Sequence, residues 1–346
     1  FHPRESSLLA GCHNMDTHWI IETNADPLQS VKLFLAVVWK GFNLERMIVP
    51  VDGNLSPNAL PLILENVNQL ERINPFRPIM TSNTAKFIPN MVLDNPDMPL
   101  GVILRPCELR SYIEMRKHKP LPTDKLLTIC VDCLGTYPIE EFQWRSSRKG
   151  SAEGLSWEAL KHAKQGILVP YRFRPACQIC TSPDARGANI NLGIIGIPVR
   201  KYLLVNTDQA MDNIFREENF TSFSEANQEI IEIREKMLAK ITERNGRVRD
   251  RIMRGLSDVL PANIDELIDH LSDCGSCQKC ILNCPICSVD LPQKANTGKY
   301  RKEDVMRWLI SCSGCGMCEQ VCPQDQPLVT IFGFIRDQLT ESLKYV

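Results

Sequence analysis

Apolar positions recur with helical and strand-like periods along the first two thirds of the chain. Residues 26–41 predict a helix, because Asp26 is a favoured N-cap, Pro27 suits the first turn and Gly41 suits the end. The apolar run at 47–51 predicts a strand directly after this helix. The chain therefore opens with alternating helical and extended elements.

The alternation continues toward residue 205. A second helical pattern opens at Ser56–Pro57 and continues through Leu60, Ile63, Leu64, Val67 and Leu70. The next predicted elements are a strand at 101–104, a turn at 106–108, a helix at 109–118 and a strand at 126–131. Further strand-like runs lie at 167–173, 190–195 and 199–205. This order predicts an α/β fold with a mostly parallel or mixed sheet.

Two segments depart from this rhythm. Residues 142–154 are polar, basic and rich in Gly and Ser, which predicts a loop or a mobile flap. After a capping box at 222–225, apolar residues recur at helical spacing and predict a long amphipathic helix that packs against the α/β unit. A second capping box at 263–266 predicts another helix.

The strongest chemical signal is a doubled cysteine run near the end of the chain. Pro285 follows one run and Pro323 the other, in the Cys-x2-Cys-x2-Cys-x3-Cys-Pro spacing of two-cluster ferredoxins. The fourth cysteine of each run then ligates the other cluster. We therefore predict one 4Fe-4S cluster on Cys274, Cys277, Cys280 and Cys322, and a second on Cys312, Cys315, Cys318 and Cys284. Paired zinc sites are the alternative, which the doubled run and its prolines disfavour.

Four more cysteines are candidates for a third cluster: Cys107, Cys133, Cys177 and Cys180. The last two have cluster-like spacing but are incomplete by themselves. Cys107 lies at a strand-to-helix turn and Cys133 just past a strand, where α/β sheets place their sites. Spacing alone leaves open whether the four hold a cluster or are buried small apolar residues. We interpret the remaining three as structural: Cys12, Cys130 and Cys287.

These patterns divide the chain into three parts. We predict an α/β domain at 1–220, a helical linker at 221–270 and a mainly helical, ferredoxin-like domain at 271–346. In the last part, a short helix at 303–310 separates the two cysteine runs.

Charge and missing motifs exclude several function classes. The 40 basic and 41 acidic residues give a formal net charge of −1, which disfavours nucleic acid as partner. No apolar run approaches a membrane span, so we expect a soluble, cytoplasmic protein. Neither common Gly-rich nucleotide loop is present. The six histidines form no ligand-spaced group, and we interpret His118 and His162 as surface residues.

With these motifs the chain resembles the coenzyme F420 hydrogenase/dehydrogenase beta-subunit family, and within it the formate dehydrogenase beta subunits. The resemblance runs over nearly the whole chain, and its carriers are 26–51, 76–83, 101–110, 131–136, 175–193 and the doubled cysteine run. The segment Arg105-Pro-Cys-Glu108 is the most specific of them.

The resemblance implies FAD in the α/β domain, hydride exchange with F420, and the third 4Fe-4S cluster next to the flavin. The predicted cofactor-binding residues are Asn83, Arg105, Pro106, Glu108, Arg110, Gly135, Thr136, Asn191 and Gly193. For Asn83 and the segments 105–110 and 135–136, the reason is that strand-to-helix turns present N–H groups to phosphate. No molybdenum, tungsten or nickel site is visible, so the implied partner is the catalytic subunit of a formate dehydrogenase, a hydrogenase or a heterodisulfide reductase complex. The segment 188–191 reads Ala-Asn-Ile-Asn where relatives often carry an acidic residue, which keeps a different hydride carrier as an alternative.

Two rival functions come from other classes. One is a non-catalytic iron-sulfur electron wire, whose α/β domain docks partners and binds no flavin. The other is cluster-bearing nucleic-acid processing, which the missing ATP loop and the near-neutral charge disfavour.

Overall fold

The structure is a computed structural model that describes residues 17–50, 61–149, 151–166, 172–207, 211–212, 216, 223–256, 258–274 and 277–343. Cys12 lies outside the described residues, and so do most of the strand predicted at 167–173 and the start of the helix predicted at Ser56.

An eight-stranded mixed sheet forms the centre of the α/β part. Its strands are β1 Thr17–Glu22, β2 Arg46–Val49, β3 Leu62–Leu64, β4 Leu100–Leu104, β5 Leu126–Val131, β6 Ile190–Gly193, β7 Tyr202–Thr207 and β8 Phe223–Glu225. Their spatial order is β3-β2-β4-β5-β6-β7-β1-β8. Strands β2, β4, β5 and β6 pair in parallel, and the pairs toward both edges are antiparallel. The α/β class with a mixed sheet is therefore confirmed.

Helices cover both faces of this sheet. Beside the strands lie α1 Pro27–Gly41, α2 Ile88–Asp94, α3 Pro106–His118, α4 Ile139–Lys149, α5 Ala152–Lys161 and α6 Pro175–Gln178. Toward the C-terminus lie α7 Gln228–Leu256, α8 Ile264–Asp273, α9 Lys279–Asn283, α10 Lys302–Ile310, α11 Met317–Gln320 and α12 Leu328–Leu343. Short 3-10 turns occur at Val67–Arg72, Thr84–Phe87, Ala163–Gln165 and Ile286–Ser288. Among the described residues, no helix is long and apolar enough to cross a membrane.

The capping signals account for two of the helix starts. The Asp26 carboxylate accepts a hydrogen bond from the Gln29 N–H at 3.0 Å, which satisfies one of the free donors at the start of α1. The Asn263 side chain accepts from the Asp265 and Glu266 N–H groups at the start of α8. Both helices were predicted at these caps.

Three local predictions are wrong. Residues 142–154 are not a flap but contribute to α4 and α5, because acidic residues in the first turn of α4 and basic ones in its last turn complement the helix dipole. The helical pattern at 60–70 instead gives β3 and a 3-10 turn. Residues 223–225 of the predicted capping box form strand β8 instead. Helix α7 starts later, at Gln228, and the side chain of the preceding Asn227 accepts from the Ile230 N–H at 3.0 Å.

Two apolar clusters sandwich the sheet, and alternating strand residues point into opposite ones. In β4, Ile103 contributes to the cluster under α1 and α7, whereas Val102 and Leu104 contribute to the cluster under α2 and α3. The second cluster also includes Trp308 and Phe332 from the C-terminal helices. The cysteine-rich region therefore packs on the α2 and α3 face of the sheet. Strand β8, at 223–225, lies within the segment predicted as linker, and the three-part domain division stays a prediction.

Candidate iron-sulfur and flavin site

The first cysteine run starts at the C-terminal end of α8. Burial raises the pKa of the Cys274 thiol, and the nearby Cys322 and Cys277 sulfurs raise it further. Burial also raises the pKa of Cys280, to which Cys274, Cys277 and Cys322 add. Because Cys322 contributes to both shifts, it lies near Cys274 and Cys280 although it belongs to the second run. Cys274 and Cys277 are exposed, so this group lies at the surface.

The second run lies deeper and includes the last cysteine of the first run. Burial raises the pKa of Cys312 to about 11, and the next contributions to that rise come from Cys284 and Cys315. Cys318 has a raised pKa because of burial and then because of Cys312, Cys315 and Cys284. Cys315 and Cys318 are buried. Cys322 thus lies near the first run and Cys284 near the second, in line with the swapped fourth ligand, and both clusters stay predictions.

Cys284 has two side-chain hydrogen-bond donors that spacing did not reveal. The Cys287 thiol donates to the Cys284 sulfur, which is the largest contribution lowering the pKa of Cys284 to about 7. The Trp308 indole N–H donates to the same sulfur at 3.3 Å. Cys287, interpreted as structural, is buried beside a predicted ligand. Both donors stabilise the thiolate form that ligates iron.

The four remaining candidate cysteines line one small cavity near the carboxyl ends of β4 and β5. Cys107 stands in the first turn of α3, Cys133 follows β5, Cys177 lies in α6 and Cys180 follows it. Burial raises the pKa of Cys133 to about 12, and Cys177 is the second cause. Among the described residues, no group of three or more His, Cys, Asp or Glu side chains is placed to hold a single metal ion. A third cluster on these four cysteines stays a prediction.

The third cysteine group is adjacent to the second run. Cys315 lines the same cavity, and Gly316 lies against α6, where a Cβ on Gly316 would come within 2.4 Å of the Ala176 Cβ. The Ser111 hydroxyl, which lies in α3, is 2.7 Å from the Ser313 hydroxyl of the second run. The cysteine-rich region is therefore closely docked onto the α/β part at this point.

A second, much larger cavity of about 1250 Å³ lies between the sheet, α3, α7 and the second cysteine run. Predicted cofactor residues Arg110, Asn191 and Gly193 line it. Several cationic side chains also reach it: Arg116, Lys117, Arg186, Arg234, Arg249 and Arg336. Cys180 lines both cavities, so the two are neighbours.

Other predicted cofactor residues lie elsewhere. Arg105, Pro106, Gly135 and Thr136 line the small cysteine cavity. Gly135 has a φ of +101°, and a Cβ there would come within 2.5 Å of the Phe173 ring, which gives this glycine a structural reason.

Asn83 and Glu108 are buried and lie outside both cavity linings. The Glu108 carboxylate accepts from the Thr84 hydroxyl and N–H and from the Arg105 N–H, at 2.8–2.9 Å. The Asn83 amide donates to the Ser111 hydroxyl at 3.0 Å. Both residues therefore fix the start of α3, which carries Cys107. The structure separates the nine predicted residues into three places.

A buried ion pair supports the wall of the large cavity. Arg234 in α7 donates to both carboxylate oxygens of Asp132, which follows β5, and the Nη2–Oδ1 distance is 2.9 Å. The same carboxylate accepts the N–H groups of Ala185, Ile194 and Ile195 at 2.7–2.9 Å. Sequence patterns did not single out either residue.

His118 is not the surface residue that we predicted. Its ring lies 2.7 Å from an Asp290 carboxylate oxygen on one side and 2.7 Å from the Ser311 hydroxyl on the other. Its side chain is 7% exposed. The end of α3 therefore contacts the residue before Cys312. A lone histidine on an amphipathic helix carries no signal for such a contact.

Comparisons with known proteins agree with the motifs. No protein-family model matches the chain. The F420-dependent formate dehydrogenase subunit beta of Methanocaldococcus jannaschii is 20% identical over 322 residues, which cover 84% of this chain and 83% of that protein. The resemblance to F420 dehydrogenase beta subunits is confirmed.

A solved structure shows a similar fold. It is a chain of the F420-reducing NiFe hydrogenase complex from Methanosarcina barkeri, with a TM-score of 0.50 and 12% identity. The match covers 68% of this chain and 91% of that chain. The mixed α/β sheet with its helices is thus shared with a subunit of an F420-dependent enzyme.

Proposed function

We propose that this chain is a flavin and iron-sulfur electron-transfer subunit that exchanges hydride with coenzyme F420 through FAD. It passes single electrons through three 4Fe-4S clusters to or from a partner, for which a formate dehydrogenase catalytic subunit is favoured over hydrogenase or heterodisulfide reductase. FAD supplies the conversion between two-electron hydride chemistry and one-electron cluster chemistry. The supporting observation is that Cys180 lines both cavities, while Cys315 of the second run lines the small one.

The cysteine groups lie in a definite order. Cys180 lines both the large cavity and the small cysteine cavity, and Cys315 lines the small one. In space, Cys284 lies near Cys315 of the buried group. In sequence, Cys284 closes the first run, which also contains the exposed Cys274 and Cys277. Electrons entering at the large cavity would meet the third cluster, then the buried cluster, then the surface cluster. The exposed group is the natural contact for a partner.

The large cavity suits a dinucleotide cofactor. Its volume of about 1250 Å³ exceeds the usual range of small-ligand sites. Lys117, Arg186 and Arg234 of its lining are ion-paired with carboxylates, so a pyrophosphate would be bound by Arg110 and Arg116. The Arg110 guanidinium is held in place because it donates to the Ser182 carbonyl at 2.9 Å. From this position it would orient the part of the cofactor that lies nearest the clusters. A matching polar wall comes from Asn191, whose amide is held by the Ala188 backbone.

The identity of the hydride carrier has one specific alternative. Asn189 accepts hydrogen bonds from the Thr128 N–H and hydroxyl at 2.9 and 2.8 Å, so neutral amides hold the segment that is often acidic in relatives. The neutral segment lines the large cavity. A cavity with this neutral segment would accommodate a hydride carrier other than F420. The second candidate function is therefore the same electron-transfer role with a different hydride carrier.

Cofactor content tests the proposal directly. The anaerobically purified chain should contain about one FAD and about twelve iron atoms, as expected for three 4Fe-4S clusters. Arg110→Ala should lower the FAD content, whereas Arg216→Ala should not, because Arg216 pairs with Asp212 and Glu225 beside strand β8. A chain with full iron and no flavin would support the electron-wire alternative and contradict the proposal.

A further inference from the structure

One buried cation lies between two of the cysteine groups. Arg174 is 3% exposed and immediately precedes α6. Its guanidinium lies in the lining of the small cavity with Cys107, Cys133, Cys177, Cys180 and Cys315. These cysteines come from the third group and from the second run. Arg174 therefore faces both.

The hydrogen bonds of Arg174 fix its position at this boundary. On the α/β side, Nε donates to the Thr136 hydroxyl at 2.8 Å, and Nη2 lies 3.2 Å from the Met80 sulfur and 3.8 Å from the Cys177 sulfur. On the side of the second run, Nη1 donates to the Gln320 amide oxygen at 3.0 Å. The planar fork holds the charge in one place.

These acceptors carry no formal charge apart from a cysteine ligand. A buried cation is costly unless it has a compensating negative charge. The nearby Glu319 carboxylate accepts from the Val329 N–H at 3.0 Å, and it interacts with Arg174 by charge rather than by a hydrogen bond, because Arg174 opposes the burial that raises the Glu319 pKa. Thiolate-ligated clusters on either side would supply the missing negative charge. The interaction with Glu319 compensates part of the Arg174 charge, and Cys177, Cys107 and Cys315 are the sulfur atoms that would contribute the rest.

We propose that Arg174 is a shared electrostatic partner of the third cluster and the buried cluster, and that it raises the reduction potentials of both. This inference rests on the clusters of the proposed function. A fixed positive charge stabilises the reduced, more negative form of each cluster, and net charge around a cluster is a recognised determinant of its potential. The surface cluster on Cys274, Cys277, Cys280 and Cys322 would be unaffected.

Arg174→Gln tests the proposal by EPR-monitored redox titration. We expect at least a tenfold fall in the ratio of reduced to oxidised cluster at a fixed potential, about 59 mV for a one-electron couple, in both the third and the buried cluster. Arg174→Lys should recover most of this loss because it keeps the charge. Arg216→Gln removes an equally positive side chain away from both cavities and should change none of the potentials.

Gln320→Glu separates charge from structure without removing Arg174. This change places a carboxylate 3.0 Å from Nη1 and removes the amide N–H that donates to the Met80 carbonyl at 3.1 Å. The added negative charge should lower the same two potentials. Unchanged potentials in Gln320→Glu, or equal shifts in all three clusters, would overturn the proposal. Iron and sulfide analysis of the unaltered chain distinguishes failure of the proposed function from failure of the Arg174 proposal. A missing third cluster contradicts both, whereas three clusters with unchanged potentials contradict only the role of Arg174.

Discussion

The contact between the second cysteine run and α6 makes a quantitative prediction for Gly316→Ala. Gly316 has a φ of +72°, and an added Cβ would lie 2.4 Å from the Ala176 Cβ, well inside van der Waals contact. The left-handed backbone alone should cost about 1–2 kcal/mol for an alanine. Overpacking against Ala176 should add about 1–3 kcal/mol. The total loss of stability should therefore be about 2–5 kcal/mol.

Gly314→Ala is a matched control in the same run. Gly314 also has a positive φ, of +67°, but no atom lies within 4 Å of its added Cβ position. It should show only the backbone contribution of about 1–2 kcal/mol. The difference between the two variants then isolates the steric contact with α6. Ala176→Gly combined with Gly316→Ala should recover that difference and leave the backbone contribution.

Urea unfolding followed by tryptophan fluorescence under anaerobic conditions measures these differences, with iron content determined on the same samples. The urea concentration at the unfolding midpoint should be highest for the unaltered chain, lower for Gly314→Ala and lowest for Gly316→Ala. Equal midpoints for the two glycine variants would refute the close docking of the second run on α6. So would a double variant no more stable than Gly316→Ala alone.

Two other predictions concern ligand exchange and the buried ion pair. Cys322→Ser should abolish the EPR signal of the surface cluster although the residue belongs to the second run, and loss of the buried-cluster signal alone would refute the swapped assignment. Asp132→Asn should destabilise the chain by about 3–5 kcal/mol, because it leaves the Arg234 charge buried without its partner. A change below about 1 kcal/mol in urea unfolding would show that the pair contributes little.

Much of the fold and of the cysteine grouping could be predicted from the sequence. Caps at Asp26 and Asn263 and the strands around 101–104 and 126–131 depend on local signals, which residue types carry directly. The cysteine spacing predicts the exchange of the fourth ligand. Cys322 lies near the first run and Cys284 near the second, and the two clusters themselves stay predictions.

The remaining features depend on contacts between distant parts of the chain. Segment 142–154 looked like a flap because its composition is polar, yet the ends of α4 and α5 are stabilised by charge and by the Ser151 cap. Arg174, Asp132 and His118 are single polar residues whose roles come from tertiary partners far away in sequence. No periodicity or spacing marks such residues before the fold is known.

The division of the predicted flavin residues between two neighbouring cavities has the same origin. The turns at 105–110 and 135–136 follow adjacent parallel strands, so their residues were expected to share one pocket. The structure places most of them around the small cysteine cavity and Arg110 on the large one. The succession of strands and helices is thus predictable here, whereas the side of each turn that faces a cavity is set by tertiary packing.

The central claim is that hydride enters at the large cavity and single electrons leave through the clusters. Stopped-flow mixing of the purified chain with reduced F420, monitored at flavin and cluster absorption bands, tests it most directly. We expect flavin reduction first and cluster bleaching second, with Cys177→Ser slowing the second phase and leaving the first intact. Flavin reduction by NADH but not by reduced F420 would contradict F420 as the carrier, and cluster reduction without any flavin phase would contradict the account itself.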